Sequence, residues 1–387
     1  MVGGLDPDAR MVQEAIIRVV NSTIQPRSAE YDAAGRFPRE NLTLLAEQGF
    51  LGMTAPAEYG GAGLPYLAQT VVVEALAYGC PATAVIYEVH NSLHTEAVWR
   101  YGTQEQKAAW LPKLIDGTWI GAFALTEAHA GSDAADLVSV ARPVAGGYRL
   151  TGRKMFISSA GEAERYLVFA RLPDTTGRTG ITGLMVNRDA EGVSFGRPLE
   201  KMGLHASKTA EMILDDVFVP VHDRLGQEGE GYQMALSLLD GGRIGIAAQA
   251  CGMMAAAFQK SRRYSREREQ FGQPIARFEG VQFKLADMAI DLHAARLMTY
   301  EAARNRDHPD IRRLAGMAKL FASEAVVRHA LAAIQIHGGY GYMKDYGVER
   351  ILRDAKVTEI YEGTSEVMRL VIASRLLRDP EEAIWEV

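Results

Sequence analysis

The sequence predicts an α+β fold, mostly α. An N-terminal helical domain covers residues 1–117, a middle antiparallel β-domain 118–227 and a C-terminal four-helix bundle 228–387. Up to about residue 117, apolar residues recur at three- and four-residue spacing. From Gly121 they fall into short β-branched and aromatic runs divided by turns. From about residue 228 the helical period returns in long stretches with short connections, the pattern of an antiparallel bundle.

In the first domain the spacing predicts helices at Ala9 to Val20, Pro38 to Gln48, Leu67 to Tyr78 and Gln104 to Leu114. The loop from Tyr59 to Pro65 is glycine-rich but follows no strand, which disfavours a dinucleotide-binding turn there. Strands are expected at Gly121 to Thr126, Tyr148 to Thr151, Lys154 to Ser158, Tyr166 to Arg171, Thr182 to Val186 and Val217 to Val219. Turns such as Gly146-Gly147 and Asp174 to Gly180 separate them, and Pro220 stands near the end. In the bundle, Val281, Leu285, Met288, Leu292 and Ala295 form one stripe; Met317, Leu320, Phe321, Val327, Leu331 and Ile334 form another. Residues 231–264 and 366–377 complete the four helices.

Composition narrows the function. Of the 387 residues, 48% are hydrophobic and 23% charged, as in a soluble globular protein. A net charge of −6 argues against nucleic acid or an anionic membrane as partner. The most basic segment, Arg262 to Glu269, is itself interleaved with Glu267 and Glu269. Two cysteines, Cys80 and Cys251, lack metal-ligand spacing, so no metal site is expected and a reducing compartment suits them. The longest apolar stretch, Ile244 to Phe258, is interrupted by Gln249 and is short for a bilayer. With no signal pattern at the N-terminus, a cytoplasmic location is expected.

The segment from Gln335 to Arg369 is the most informative. It sets a glycine-rich turn after an apolar helix, then one carboxylate, Glu362, between Tyr361 and the helix-start sequence Gly363-Thr364-Ser365. Glu366 suits a first helical turn, and the backbone donors of such a turn suit anionic or hydroxyl oxygens. A carboxylate so placed can be desolvated against a planar ligand, which makes a weak base able to take a carbon-bound proton.

Four motifs stand in order along the chain: Phe123 to Glu127 with Ala130 to Asp133, Lys154 to Ser158, Glu267 to Gly272, and Gln335 to Gly339 with Tyr361 to Thr364. Together with the order of modules they resemble the acyl-CoA dehydrogenase family, of the short-chain or branched short-chain type, over nearly the whole chain. The resemblance implies FAD as cofactor and Glu362 as the base that removes the α proton of an acyl-CoA thioester while hydride leaves the β-carbon. The Glu362 backbone N–H would then stabilise the enolate-like charge at the thioester carbonyl.

The same resemblance implies the other contacts. Phe123, Leu125, Thr126, Gly131 and Ser132 would lie along the isoalloxazine, with Phe156, Ile157 and Ser158 from a second strand. Arg268, Gln270 and Phe271 would reach the FAD of a neighbouring subunit, and Gln335, Gly338 and Gly339 would cradle the adenosine-diphosphate half. Thr364 and Glu366 would add contacts from the helix start. Ser132, Asp240, Arg243, Tyr361 and Gly363 would meet acyl-CoA, with Asp240 to Arg243 opening a helix along it. A homotetramer built as a dimer of dimers and an electron-transferring flavoprotein as partner follow from the same likeness. The sequence departs from the family pattern at Ala128 and His129 (often Pro-Gly), Phe156 (often Trp), His205 (often Arg) and Glu279 (often Gln). Tyr361 stands where some branched-chain relatives have a smaller residue, which points to short straight or α-branched substrates. Two other readings remain open: a flavin oxidase, desulfinase or monooxygenase on the same scaffold, and a non-catalytic helical interaction protein.

Overall fold

The computed structural model describes residues 5–377. Seven α-helices come first: α1 Pro7–Val19, α2 Gln25–Ala34, α3 Arg39–Glu47, α4 Tyr66–Gly79, α5 Pro81–Glu88, α6 Glu96–Tyr101 and α7 Gln104–Ile115. Local chemistry sets several ends. The Asp6 side chain caps α1, and Gly35 closes α2 at φ 57. Thr103 and Gln106 form a reciprocal capping box at the start of α7. Sequence spacing missed α2 and the α5–α6 run. The latter is buried on nearly every side, so it has no apolar stripe to read, and it widens into a π-helical turn at Val89–Thr95.

The middle of the chain supplies β1 Gly121–Ala124, β2 Val140–Val144, β3 Gly147–Ser158, β4 Arg165–Arg171, β5 Ile181–Asn187, β6 Val193–Phe195, β7 Thr209–Pro220 and β8 Arg224–Leu225. They make one eight-stranded sheet in the order β6-β7-β3-β2-β4-β5-β8, with β1 also on β4. The expectation of an antiparallel sheet needs one correction: β1 runs parallel to β4, and β2 touches β4 in parallel at Val140 and Arg171. A long connection that includes the β2–β3 hairpin separates β1 from β4, which permits that direction. Register shifts near Gly152 and between Lys154 and Ile157 bend β3 against β7.

The last part holds α8 Gly231–Glu267, the short ribbon β9 Glu269–Gln270 and β10 Gln273–Pro274, then α9 Glu279–Arg304, α10 Ile311–His337, α11 Val348–Ala355 and α12 Ser365–Leu376. Helices α8, α9, α10 and α12 are the four expected. The buried side of α10 differs from the expected stripe. Ala315, Ala318, Ala322, Ala325, Val326, Ala330 and Ala333 face inward, whereas Leu331 is exposed and Phe321, Val327 and Ile334 are half-buried. Small residues win the interior because α8 brings a glycine- and alanine-rich face close to its neighbours. A Cβ on Gly252 would meet the Glu74 carbonyl oxygen of α4 at 2.1 Å. Buried Glu74 ties α4 to α9 through Arg296 (2.6 Å) and Tyr300 (2.7 Å). Among the described residues no helix is long and apolar enough to cross a membrane.

Candidate active site

Residues Tyr361 to Thr364 form the turn that enters α12. Thr364 caps that helix by accepting from the Val367 N–H. Glu362 has φ 53 and Gly363 φ 103. A left-handed glutamate is uncommon, and such strain persists only where surrounding contacts impose it. Those contacts are two buried cations and one phenol. Arg243 Nε donates to the Glu362 carbonyl oxygen at 3.2 Å, and Lys319 Nζ to that of Gly363 at 2.6 Å. Tyr361 donates its hydroxyl to Gln249 Oε1.

Asp240 and Arg243, expected at the start of a helix along acyl-CoA, lie inside α8 instead. Both are buried and bonded to each other at 2.6 Å, with Arg312 Nε 3.3 Å from the second Asp240 oxygen. Both are held by protein groups, and Arg243 bears on the loop that carries the candidate base. Gly242, between them, makes room for that base: a Cβ there would lie 2.1 Å from Glu362 Oε2. This oxygen is enclosed and accepts no donor among the described residues. Burial pushes the Glu362 carboxyl up to about 7; the neighbouring Glu88 carboxyl and the charges of Arg243 and Lys319 act the other way. Burial pushes Lys319 down to about 8, partly offset by Glu362. A carboxyl that titrates near neutral pH in an enclosed site is suited to general-base chemistry.

A second group surrounds β1 and β3. Phe123 is half-buried against Phe169, with ring centres 5.1 Å apart. Leu125 and Ile157 turn into the interior, so only their backbones are available to a ligand. Thr126 and Ser158 are half-buried, and Gly131 and Ser132 stand on an open loop. Phe156 is 61% exposed at φ 59, where the β3 register shifts. The two strands are joined by Met155 N–H on the Thr126 carbonyl (2.8 Å). They are also joined by Lys154, which reaches Glu127 at 2.7 Å and the Leu125 carbonyl at 3.1 Å. Glu127 in turn accepts from the backbone of Val138 and Ser139. From the other side His90 accepts from the Gly121 N–H and His94 meets the Ala122 carbonyl, each at 3.0 Å.

A third group lines a surface cleft of about 560 Å³ that includes Tyr264, Arg268, Gln270, His337, Gly338 and Gly339. Four expected cofactor residues therefore come together although they lie in two distant segments. Nothing stands within 4 Å of a Cβ placed on Gly338 or Gly339, so their backbone is open to a ligand. Tyr264 and His337 stack at 4.3 Å, and Arg268 lies over the Tyr340 ring at 5.7 Å. An open glycine backbone, an arginine and a stacked aromatic wall fit a nucleotide diphosphate. Gln335 and Phe271 lie outside the lining: Gln335 is exposed on the last turn of α10, and Phe271 is 93% exposed at φ 53. Glu366 is exposed in the first turn of α12.

The departures also find places. His205 sits 3.2 Å from Asp32, which pairs with Arg353 at 2.9 Å. His129 bonds the Asp136 carbonyl within its own loop, and Glu279 is exposed at the start of α9. Sequence reasoning did not assign a role to Glu88, Lys154, Glu127, Gln249 or Lys319. A usable signal was present for the charged ones, each set in or beside an apolar run where a charge is rare without a partner.

Comparison with known proteins accounts for these groups occurring in one chain. The N-terminal, middle and C-terminal domains of acyl-CoA dehydrogenases match residues 6–118, 122–217 and 229–377. An acyl-CoA dehydrogenase of Bacillus subtilis is 42% identical over 95% of this chain and 97% of its own. A short-chain specific acyl-CoA dehydrogenase of Clostridium acetobutylicum is 40% identical over 97% of this chain and 99% of its own. The solved butyryl-CoA dehydrogenase of Megasphaera elsdenii superposes with a TM-score of 0.95 at 38% identity, covering 98% of this chain and all of that one. The helical–sheet–helical order agrees with these matches, and this chain belongs to the acyl-CoA dehydrogenase family, whose cofactor is FAD.

Proposed function

We propose that the protein dehydrogenates a short-chain or short branched acyl-CoA to its trans-2-enoyl-CoA and passes the electrons to an electron-transferring flavoprotein. The observation that carries this reading is Glu362, a left-handed residue whose Oε2 is enclosed and set over a glycine of α8. Glu362 takes the α proton, and its backbone N–H stabilises charge on the thioester oxygen. Bound FAD supplies the acceptor for hydride from the β-carbon. Arg268 and Gln270, with the Gly338 and Gly339 backbone, would hold the diphosphate end of the FAD bound by a neighbouring subunit. Phe123, Thr126, Ser132, Phe156 and Ser158 would line the ring system of the FAD held by this subunit, with the backbones of Leu125, Gly131 and Ile157 alongside. Arg243 and Lys319 keep the Glu362 turn in place from behind, and Tyr361, bonded to Gln249, narrows the acyl site in favour of short chains.

The protein acts as a homotetramer, a dimer of dimers. Phe271 projects from the surface beside the open cleft, and Phe283, Ile290 and Leu297 leave an apolar row, seven residues apart, exposed on α9. A second copy would cover both features. Gel filtration with and without FAD tests this.

The decisive experiment is anaerobic bleaching of the bound flavin with acyl-CoAs that differ in length and branching. Short thioesters reduce it fastest. Glu362→Gln retains FAD and loses on the order of 10²–10⁴ in reduction rate; a variant that keeps the wild-type rate removes the base. Peroxide released in proportion to aerobic turnover would favour an oxidase over transfer to a flavoprotein.

A further inference from the structure

We propose that Glu88 is a positioning residue for Glu362: the two carboxyls share one proton, held on Glu88 and directed at the Glu362 carboxylate. This rests on Glu362 being the base proposed above.

Glu88 ends α5, just before the wide turn at Val89–Thr95, and is fully buried. Neither of its oxygens accepts a hydrogen bond from a donor group among the described residues. Helix α8 makes room for it at Gly245, where a Cβ would lie 2.4 Å from Glu88 Cγ and 2.9 Å from Oε1. One turn earlier on the same helix, Gly242 makes room for Glu362. Adjacent glycine notches in α8 thus seat two carboxyls side by side, each within the electrostatic surroundings of the other.

Two ionised carboxylates in a dry contact repel, and two neutral ones leave no base. A single shared proton removes both problems. The surroundings decide where it resides. Glu362 faces Arg243 from α8, itself paired with Asp240, Lys319 from α10, and the Tyr361 phenol beside it. Glu88 faces Glu362 and Glu96, with the Ser92 hydroxyl and the Tyr66 phenol of α4 nearby. Glu96 is itself engaged by Arg100 and Arg306. The cations thus favour ionised Glu362, while burial and acidic neighbours favour neutral Glu88. In the neutral state Glu88 donates, which fixes the orientation of the base and keeps it ionised despite its burial.

The test is the pH dependence of flavin reduction by a short acyl-CoA in holoenzyme, followed by stopped flow. Glu88→Leu removes the donor, so the acid limb of the profile moves up by about one pH unit, a loss of about tenfold in rate on that limb. Glu88→Gln, whose amide still donates, keeps the limb in place. A Glu88→Leu limb that stays or moves down overturns the proposal, as does a downward shift in Glu88→Gln. Infrared spectra of the holoenzyme at alkaline pH, above the titrations of Glu362 and Asp354, give a readout free of turnover and independent of whether Glu88→Leu folds. A protonated-carboxyl band is expected in wild type and in Glu362→Gln, and absent from Glu88→Gln; no such difference also overturns it. If Glu362→Gln retained full activity, the base assignment would fail while the infrared band still reported where the proton lies.

Discussion

Lys319 donates from a fully buried ammonium to the Gly363 carbonyl oxygen at 2.6 Å, holding the residue directly after Glu362. Arg243 holds the preceding carbonyl. Two helices therefore fix two consecutive left-handed residues, and each cation also adds its charge to the environment of the carboxyl.

Lys319→Met leaves the Gly363 carbonyl without this donor and takes away a charge that favours ionised Glu362. A stability loss of about 1–3 kcal/mol is expected, with the acid limb of flavin reduction moved to higher pH. Urea unfolding and a pH–rate profile check both effects. Unchanged values in both would show that the contact is idle.

Gly242→Ala places a methyl 2.1 Å from Glu362 Oε2, so the carboxyl must move. Misplacing a catalytic group by about an ångström costs on the order of 10² in rate. The cleft at Gly338 and Gly339 is untouched, so FAD content is expected to hold while kcat falls. Flavin absorbance per subunit and single-turnover reduction separate the two.

Lys154→Met strands Glu127 inside the protein. Breaking a buried pair by removing one partner costs about 3–5 kcal/mol, and this pair joins the two strands proposed to line the flavin. The expected result is a lower urea midpoint with weaker FAD retention, read from flavin released on dilution. A midpoint equal to wild type would mean that the pair adds no stability.

Asp354 is buried and accepts from the Leu204 N–H at 2.6 Å, and burial pushes its carboxyl up from 3.8 to about 6. The folded state therefore holds this proton more tightly than the unfolded state. The associated stability is present below pH 4 and lost as pH rises through about 6, on the order of 3 kcal/mol in all. Asp354→Asn keeps an acceptor oxygen and removes the titration. Its stability relative to wild type should climb between pH 4 and 6 in urea unfolding; parallel curves would dismiss the effect.

Much of this was legible in the residues. Thr364 reads as a helix cap and acts as one, and the glycines after Gln335 leave their backbone open. The large apolar residues of α10 mislead for a physical reason: their spacing draws a stripe, yet Leu331 is exposed and the buried positions are mostly alanines. The left-handed backbone of Glu362 cannot be read from the sequence, because Arg243 and Lys319 impose it from distant helices; Phe271 takes its own from the two-residue turn between β9 and β10, and Phe156 from the register shift in β3.

By itself the sequence determined the order of helical, sheet and helical parts and marked Glu362 as the carboxylate to examine, because periodicity and helix-start chemistry act between near neighbours. Only the tertiary structure decided that Arg243 bears on a loop, that Lys319 holds a carbonyl and that neighbouring glycines of α8 seat Glu88 and Glu362. Desolvation and charge at a buried group come from whichever side chains folding gathers around it, and here they come from helices far apart along the chain.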